Sequence, residues 1–438
     1  MTFDEVLPAL LLSCETWKDS ASLRHIAVVR DLRGRLRLVV EPRADTSPDL
    51  DALRNLLNTS LGAWFTGEIL STQHGAQALR NVARRVLAVA PPWDAPRYLG
   101  PLGEVITAPP ERWLLLERRV GKQPWLEGDA DAPWVLDSNE PAVVTFYSFK
   151  GGVGRTTTLA ACALLASQAG EDVVVIDLDL EAPGAGSLLG VAEAQRGALD
   201  VLVDHLATNA IDLGQAVDAP RSPAPLADRC RVIPAGRLDD GYLEKLARLD
   251  FSGSTVDLRT SQSPVRESLR ALLTKVRDEF KPRWIFLDAR AGLHDLAGLS
   301  LHGLAHVDVV FSRCNEQGIA GLNLVLRALS RRVNDIAAKV VLVHAMAPAN
   351  VDAAAQEQAR LRLETHRMFV RHGLYRDAIP DEAASDADHR PWTIRSEESI
   401  ERNDRLDAIV PQLTGGDYRA LWERITLLVS AQRTRGAL

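Results

Sequence analysis

A chain of 438 residues with a hydrophobic fraction of 46% has material for more than one packed core, and its length fits two or three domains. A net charge of −7 argues against a protein that coats nucleic acid through bulk charge, and four scattered cysteines without CxxC spacing argue against a disulfide frame or a zinc site. The first residues are acidic, and the apolar run 7–12 lacks a basic flank and is too short to cross a bilayer, so a cytoplasmic protein without a signal peptide or membrane segment is expected.

Residues 1–120 read as a first, smaller α+β domain. Two β-rich runs, 24–30 and 36–40, flank a turn containing Gly34 and predict a hairpin. Ser47, Pro48 and Asp49 start a helix, with serine as cap, and its leucines 50, 53, 56 and 57 have helical spacing. A second helix is expected over 77–86, and 112–117 is a strand or a short buried helix. Arginines 30, 33, 35 and 37 make the hairpin basic, which is more often a solvated face than a binding surface. Residues 121–140 are rich in Pro, Gly and acids without periodicity and read as a linker, pinned by Trp125 and Trp134.

From residue 141 to 438 strands alternate with helices, the pattern of a doubly wound, mostly parallel α/β sheet with helices on both faces. Strands are predicted at 143–149, 173–177, 231–234, 284–288, 307–312 and 340–344. Helices are predicted at 156–169, 197–207, 242–248, 264–279, 318–331, 353–371 and 417–432.

The first strand runs into Lys150-Gly-Gly-Val-Gly-Arg-Thr-Thr157. Glycines 151, 152 and 154 let the backbone curl and turn its N–H groups inward, toward the positive end of the helix that follows. Strand, glycine loop and helix together form a phosphate cradle related to the P-loop G-x-x-x-x-G-K-[ST], with Arg155 in the place of its lysine and an extra lysine, Lys150, ahead of the glycines. Two acidic motifs follow at later strand ends, where ligands of such sheets sit. Asp177 and Asp179 leave the second strand where a γ-phosphate and its water would lie, and Asp288 closes Trp284-Ile-Phe-Leu-Asp as the acid that would hold a Mg²⁺ shell. Gly292 is placed to offer its N–H to the γ-phosphate. A glycine loop alone is a weak signal, and a strand-end Asp can be a helix cap; three such motifs in this order point to a nucleoside triphosphate.

These three motifs resemble the ParA/MinD group of P-loop ATPases with a deviant Walker A loop, in the variant subgroup whose loop reads KGGVGR. The resemblance covers about residues 141–400 and leaves the first 140 outside. It implies ATP and Mg²⁺ as cofactors and a homodimer that sandwiches two ATP molecules. It implies that Lys150 reaches across to the partner's phosphates, and that residues 151–157 (Gly151, Gly152, Val153, Gly154, Arg155, Thr156, Thr157) bind the nucleotide. In the same way Thr156 would ligate Mg²⁺, Thr157 would contact the α-phosphate, and Asp179 would orient the attacking water. Asp177 would support the metal shell and Asp288 would reach the metal through water. Lys150, Arg155 and Asp179 are thus the expected catalytic set. Arginine keeps the charge of the missing lysine but is longer and planar, so binding is expected to survive better than turnover. Arg290 has two readings: a γ-phosphate contact in cis, or a salt bridge to an acid such as Asp295.

His294-Asp295 reads as loop packing, residues 315–318 as a helix start, and His25, His74 and His205 as ordinary histidines; the region of residues 379–381 corresponds to where relatives hold adenine. The leading expectation is an ATP-driven dimerisation switch that regulates or localises an unknown protein partner through its N-terminal domain. The alternatives are a nucleotide-sensing scaffold with little turnover, or a DNA-associated partition ATPase, which the acidic balance disfavours.

Overall fold

Alternation of apolar residues builds the first sheet from a hairpin. β1 (Leu23–Arg30) and β2 (Leu36–Pro42) pair antiparallel around a turn where Gly34 takes φ +83°. β3 (Phe65–Ser71) then joins β2 and β4 (Trp113–Glu117) joins β1, both parallel, giving the order β3-β2-β1-β4. Residues 112–117 therefore resolve as strand. β3 escapes the sequence pattern because Gly67 sits at φ +78° inside an irregular register, which breaks the two-residue alternation. The helices Phe3–Thr16 and Leu50–Leu61 bury Val6, Leu7, Leu10, Leu53 and Leu57 on one face of the sheet. The helix Gln77–Val89 covers the other with Ala83. The cap of the helix Leu50–Leu61 is Asp49, whose carboxylate accepts the Ala52 N–H at 3.0 Å, so Ser47 and Pro48 lie outside it. Three of the four hairpin arginines are paired: Arg30 with Glu117 at 3.7 Å, Arg35 with Asp31 at 3.1 Å, and Arg37 with Glu68. Arg30 is buried in its pair, while Arg35 and Arg37 stay partly exposed in theirs.

The computed structural model describes residues 1–93, 111–119, 121–126, 132–191, 194–254, 264–301, 303–330, 339–375, 378–402 and 406–436. The chain divides into two compact units, Met1–Val120 and Gly121–Leu438. Of the residues expected as a linker, 121–126 and 132–140 belong to the second unit, and 127–131 lie outside the described residues, as does Arg331 at the end of one predicted helix.

The second unit is a seven-stranded sheet in which every pairing is parallel. Its strands are β5 (Ala142–Ser148), β6 (Val173–Leu178), β7 (Cys230–Ile233), β8 (Trp284–Ala289), β9 (Val307–Ser312), β10 (Val340–Ala347) and β11 (Trp392–Arg395). They lie in the order β11-β10-β9-β5-β8-β6-β7. Strands on one side of β5 follow one winding and those on the other side the opposite one, so the switch point falls beside β5, at the carboxyl edge of the sheet. The helices Arg155–Gln168 and Gly416–Gly436 pack on one face, where Trp422 meets Trp284 at 4.8 Å between ring centroids. Ala198–Thr208, Pro264–Phe280, Glu316–Ser330 and Val351–His372 cover the other.

At the opposite edge, His306 is buried. Its Nδ1 accepts the Val143 N–H at 3.0 Å, which leaves Nε2–H to donate to the Trp134 carbonyl at 3.0 Å. Burial pushes this imidazole down to about 4, and nearby Lys339 adds to the effect. The folded state therefore favours neutral histidine. The stability it contributes is complete above the ordinary histidine value of about 6.5 and is lost as pH falls from there to about 4. Asp308, two residues on, is pushed up to about 7 by burial, so its contribution runs the other way over the same window. His306→Asn is accordingly expected to remove an acid-sensitive component of about 3 kcal/mol from the wild-type curve between pH 6.5 and 4. Parallel urea-unfolding curves for the two proteins across that window would rule this out.

Candidate functional site

The loop between β5 and the helix Arg155–Gln168 lies at the switch point. Gly152 and Gly154 take φ +69° and +77°, values that L side chains rarely adopt. A Cβ on Gly151, Gly152 or Gly154 would meet nothing within 4 Å, so the space over the loop is open. Val153, 4% exposed, anchors the loop in the core. Phe149 anchors it from the other end by packing on the helix Glu316–Ser330 at Gly321, where a Cβ would come within 2.1 Å of the Phe149 ring. Gly154 occupies the position before the helix, whose first N–H groups and dipole favour an anion there. Thr156 and Thr157, both half-buried, open the helix.

Pairing of β6 with β8 sets Asp177 directly opposite Asp288. The side chain of Arg155 runs to these strand ends and is 8% exposed. Its Nε donates to Asp288 Oδ1 at 2.6 Å and its Nη2 to Asp179 Oδ2 at 2.7 Å. Thr156 Oγ1 donates to the other Asp288 oxygen at 2.7 Å. Burial works against the charge on Arg155, but Asp288 and then Asp179 outweigh it and hold the guanidinium charged above its ordinary value. Burial pushes Asp288 up, while Arg155 and the Thr156 hydroxyl pull against it. The sequence places Arg155 against phosphate; the structure places it between two carboxylates.

Asp177 is fastened to the backbone of the loop that follows it. Its Oδ1 accepts the Asp179 N–H at 3.0 Å, and its Oδ2 accepts the Gly184 and Ala185 N–H groups at 3.1 and 3.0 Å. Burial and then the Asp288 carboxylate push it up to about 8. With these three bonds Asp177 shapes the loop 179–185. Thr156 and Asp288 remain as hard oxygen donors that fit Mg²⁺ once the guanidinium withdraws. Among the described residues no cluster of three or more His, Cys, Asp or Glu side chains could hold a metal, so an ion here would depend on oxygens brought by a ligand.

The loop after β8 is held on several sides. The Gly292 N–H, expected to face a phosphate, donates to the Ser148 carbonyl at 3.0 Å, and the Gly292 carbonyl accepts from the Tyr147 hydroxyl at 3.1 Å. Arg290 forms an ion pair, but with Glu181 and not Asp295. His294 lies 3.3 Å from the same carboxylate, and Asp295 instead accepts the Lys122 N–H at 2.7 Å. Burial pushes His294 down to about 4. Glu181 thus joins the loops of β6 and β8, a role sequence reasoning missed although the residue stands in the second motif. Lys150 is exposed, and its Nζ donates to Gln317 Oε1 at 2.9 Å. Asn315 Oδ1 accepts the Gly318 N–H at 2.8 Å, so the run 315–318 does start a helix, and it also positions Gln317 beside the loop lysine. His25 and His205 make ordinary contacts with Glu41 and Ser268.

A parallel sheet with a glycine loop and helix amino terminus at its switch point, and acids on the two neighbouring strand ends, defines a P-loop type nucleotide-binding α/β domain. The family profile for the CobQ/CobB/MinD/ParA nucleotide binding domain matches residues 144–378, and the chain belongs to that family. Similar solved structures include the septum site-determining protein MinD of Pyrococcus horikoshii OT3 complexed with Mg-ADP, 18% identical, with 67% of this chain and 98% of that one covered and a TM-score of 0.42. A plasmid partition protein from Borrelia burgdorferi is 15% identical over 66% of this chain and 98% of its own, with a TM-score of 0.43. An iron-sulfur cluster carrier protein of Pseudomonas fragi is 39% identical over 59 residues, which are 14% of this chain and 21% of that protein. The chain therefore spans about a fifth of the length of that curated relative, 21%.

Proposed function

We propose that the second unit is an ATP-binding switch that dimerises on ATP and is reset by hydrolysis. The observation that carries this reading is the single cluster of Arg155, Thr156, Asp179 and Asp288 beneath an open glycine loop. Residues 151–157 would cradle the phosphates, with backbone N–H groups and the Arg155 guanidinium as donors. Thr156 and Asp288 would hold Mg²⁺, whose part is to neutralise phosphate charge. Asp179, once released by Arg155, would orient the attacking water. Lys150, exposed and hydrogen-bonded to Gln317, would reach a second subunit. The first unit would be the accessory domain through which a protein partner is engaged, and the free, mostly buried cysteines fit the reducing cytoplasm. No helix among the described residues is long and apolar enough to cross a membrane.

One observation favours a second reading, a nucleotide sensor with little turnover: the candidate water-orienting carboxylate is already bound by Arg155. Light scattering on the purified chain separates the readings. ATP is expected to double the mass and ADP to leave a monomer, with Asp179→Ala held as dimer by ATP. A chain that binds ATP yet stays monomeric overturns the switch. Dimerisation with hydrolysis slower than about once per hour selects the sensor, far below the 1–100 per second of fast phosphoryl-transfer enzymes.

A further inference from the structure

The segment that opens the second unit is fastened to the loop after β8. The Lys122 N–H donates to Asp295 Oδ1 at 2.7 Å, and the Lys122 ammonium lies 3.9 Å from the same oxygen. Trp125 Nε1–H donates to the His294 carbonyl at 2.7 Å. The Trp125 side chain is 5% exposed, and its ring lies 5.7 Å from that of Tyr147, whose hydroxyl donates to the Gly292 carbonyl. Gly121 is packed so closely that a Cβ there would come within 3.0 Å of Asp295 Oδ2. The same eight-residue stretch, 288–295, thus carries Asp288 and Arg290 toward the nucleotide site at one end and holds residues 121–126 at the other. Residue 121 follows the first unit directly in the chain.

We infer that the segment 121–126 is the link by which the state of the nucleotide site reaches the first unit, with Trp125 and Asp295 as its positioning residues. This rests on the nucleotide reading above. For the Gly292 N–H to meet a γ-phosphate it must leave the Ser148 carbonyl, and for Arg290 to do so it must leave Glu181. Either exchange moves the stretch whose far end accepts the Trp125 and Lys122 hydrogens. A ligand shifts such an equilibrium only through bonds it makes in one state and not the other, and these exchanges supply that difference. A Cβ at position 121 would press on the Asp295 carboxylate, and a phenylalanine at 125 keeps the ring on Tyr147 while losing the donor.

Hydrogen exchange on the full chain, with and without the ATP analogue AMPPNP and Mg²⁺, tests the link. In the wild type, AMPPNP is expected to change exchange at least threefold in residues 121–126 and in the first unit's strand Trp113–Glu117. Trp125→Phe and Asp295→Ala, which remove the donor to His294 and the acceptor for Lys122, are each expected to bind AMPPNP within threefold of wild type while the response in Trp113–Glu117 disappears. Two different replacements guard against one that fails to fold, and thermal melts identify it. Wild-type binding without any response in 121–126, or an undiminished response in the folded variants, overturns the inference alone. Failure of the wild type to bind AMPPNP overturns it together with the nucleotide reading.

Discussion

Replacing Arg155 by alanine is expected to destabilise the nucleotide-free second unit by about 3–5 kcal/mol, the range for removing one partner of a buried ion pair. The guanidinium is the shared partner of Asp179 and Asp288, at 2.7 and 2.6 Å, and both carboxylates are buried. Without it, two acids lie close together with little water. With no guanidinium to oppose it, burial pushes the Asp288 carboxyl further up, so the folded variant takes up a proton there more readily than the unfolded chain. The deficit should therefore shrink as pH falls and be largest near pH 8. Thermal melts at pH 8 and pH 5.5 measure both effects, with a drop in melting temperature on the order of 5–10 °C expected at the higher pH. Arg155→Lys should lie between the two proteins, since one ammonium can hold one carboxylate well but cannot span both with a planar fork. A pH-independent loss under 1 kcal/mol for Arg155→Ala would falsify the bridging role.

Lys150→Ala should have the opposite profile. Its side chain is exposed and its hydrogen bond goes to Gln317 on the surface of a helix start, so folding stability is expected to change by no more than about 0.5 kcal/mol. Dimerisation on ATP, however, is expected to be lost, because no other residue of the loop carries a free charge outward. Light scattering with saturating ATP, alongside an equilibrium measurement of nucleotide binding, separates the two properties. If the variant dimerises as the wild type does, Lys150 is not the residue that joins the subunits.

Much of the second unit could be read from the chain because its strands are short apolar runs separated by helical periodicity. Six of its seven strands follow that pattern. β11 does not: it has four residues, begins after Pro391 and lies at the sheet edge, where half the backbone groups need no partner. The first helix was equally hidden, since Pro8 stands inside it and disguises the period. At the site, residue types and order were legible, but side-chain partners were not. Arg155 reaches two acids 24 and 133 positions away, and only the β6–β8 register makes those acids neighbours. Asp177 and Asp179 look alike in sequence, yet one is turned into the backbone and the other toward the arginine. Arg290 pairs with Glu181, far away in sequence, while Asp295, five positions on, accepts the Lys122 N–H.

The helix that follows the glycine loop is buried on nearly every side, with Thr158 and the run Leu159–Ser167 all within the core. Ala160, Ala161, Ala163 and Ala166 have no exposed surface, so a larger residue at any of them would have to displace a neighbour at a cost of about 1–3 kcal/mol. A helix so enclosed cannot tilt or slide when an anion arrives at its amino end. The binding energy of a phosphate is therefore not dissipated beneath the loop. It is directed into the side chains of Arg155 and Thr156 at the helix start and, through their partners Asp179 and Asp288, into the stretches 179–185 and 288–295. The most inert element of the molecule is what makes its two neighbouring loops responsive.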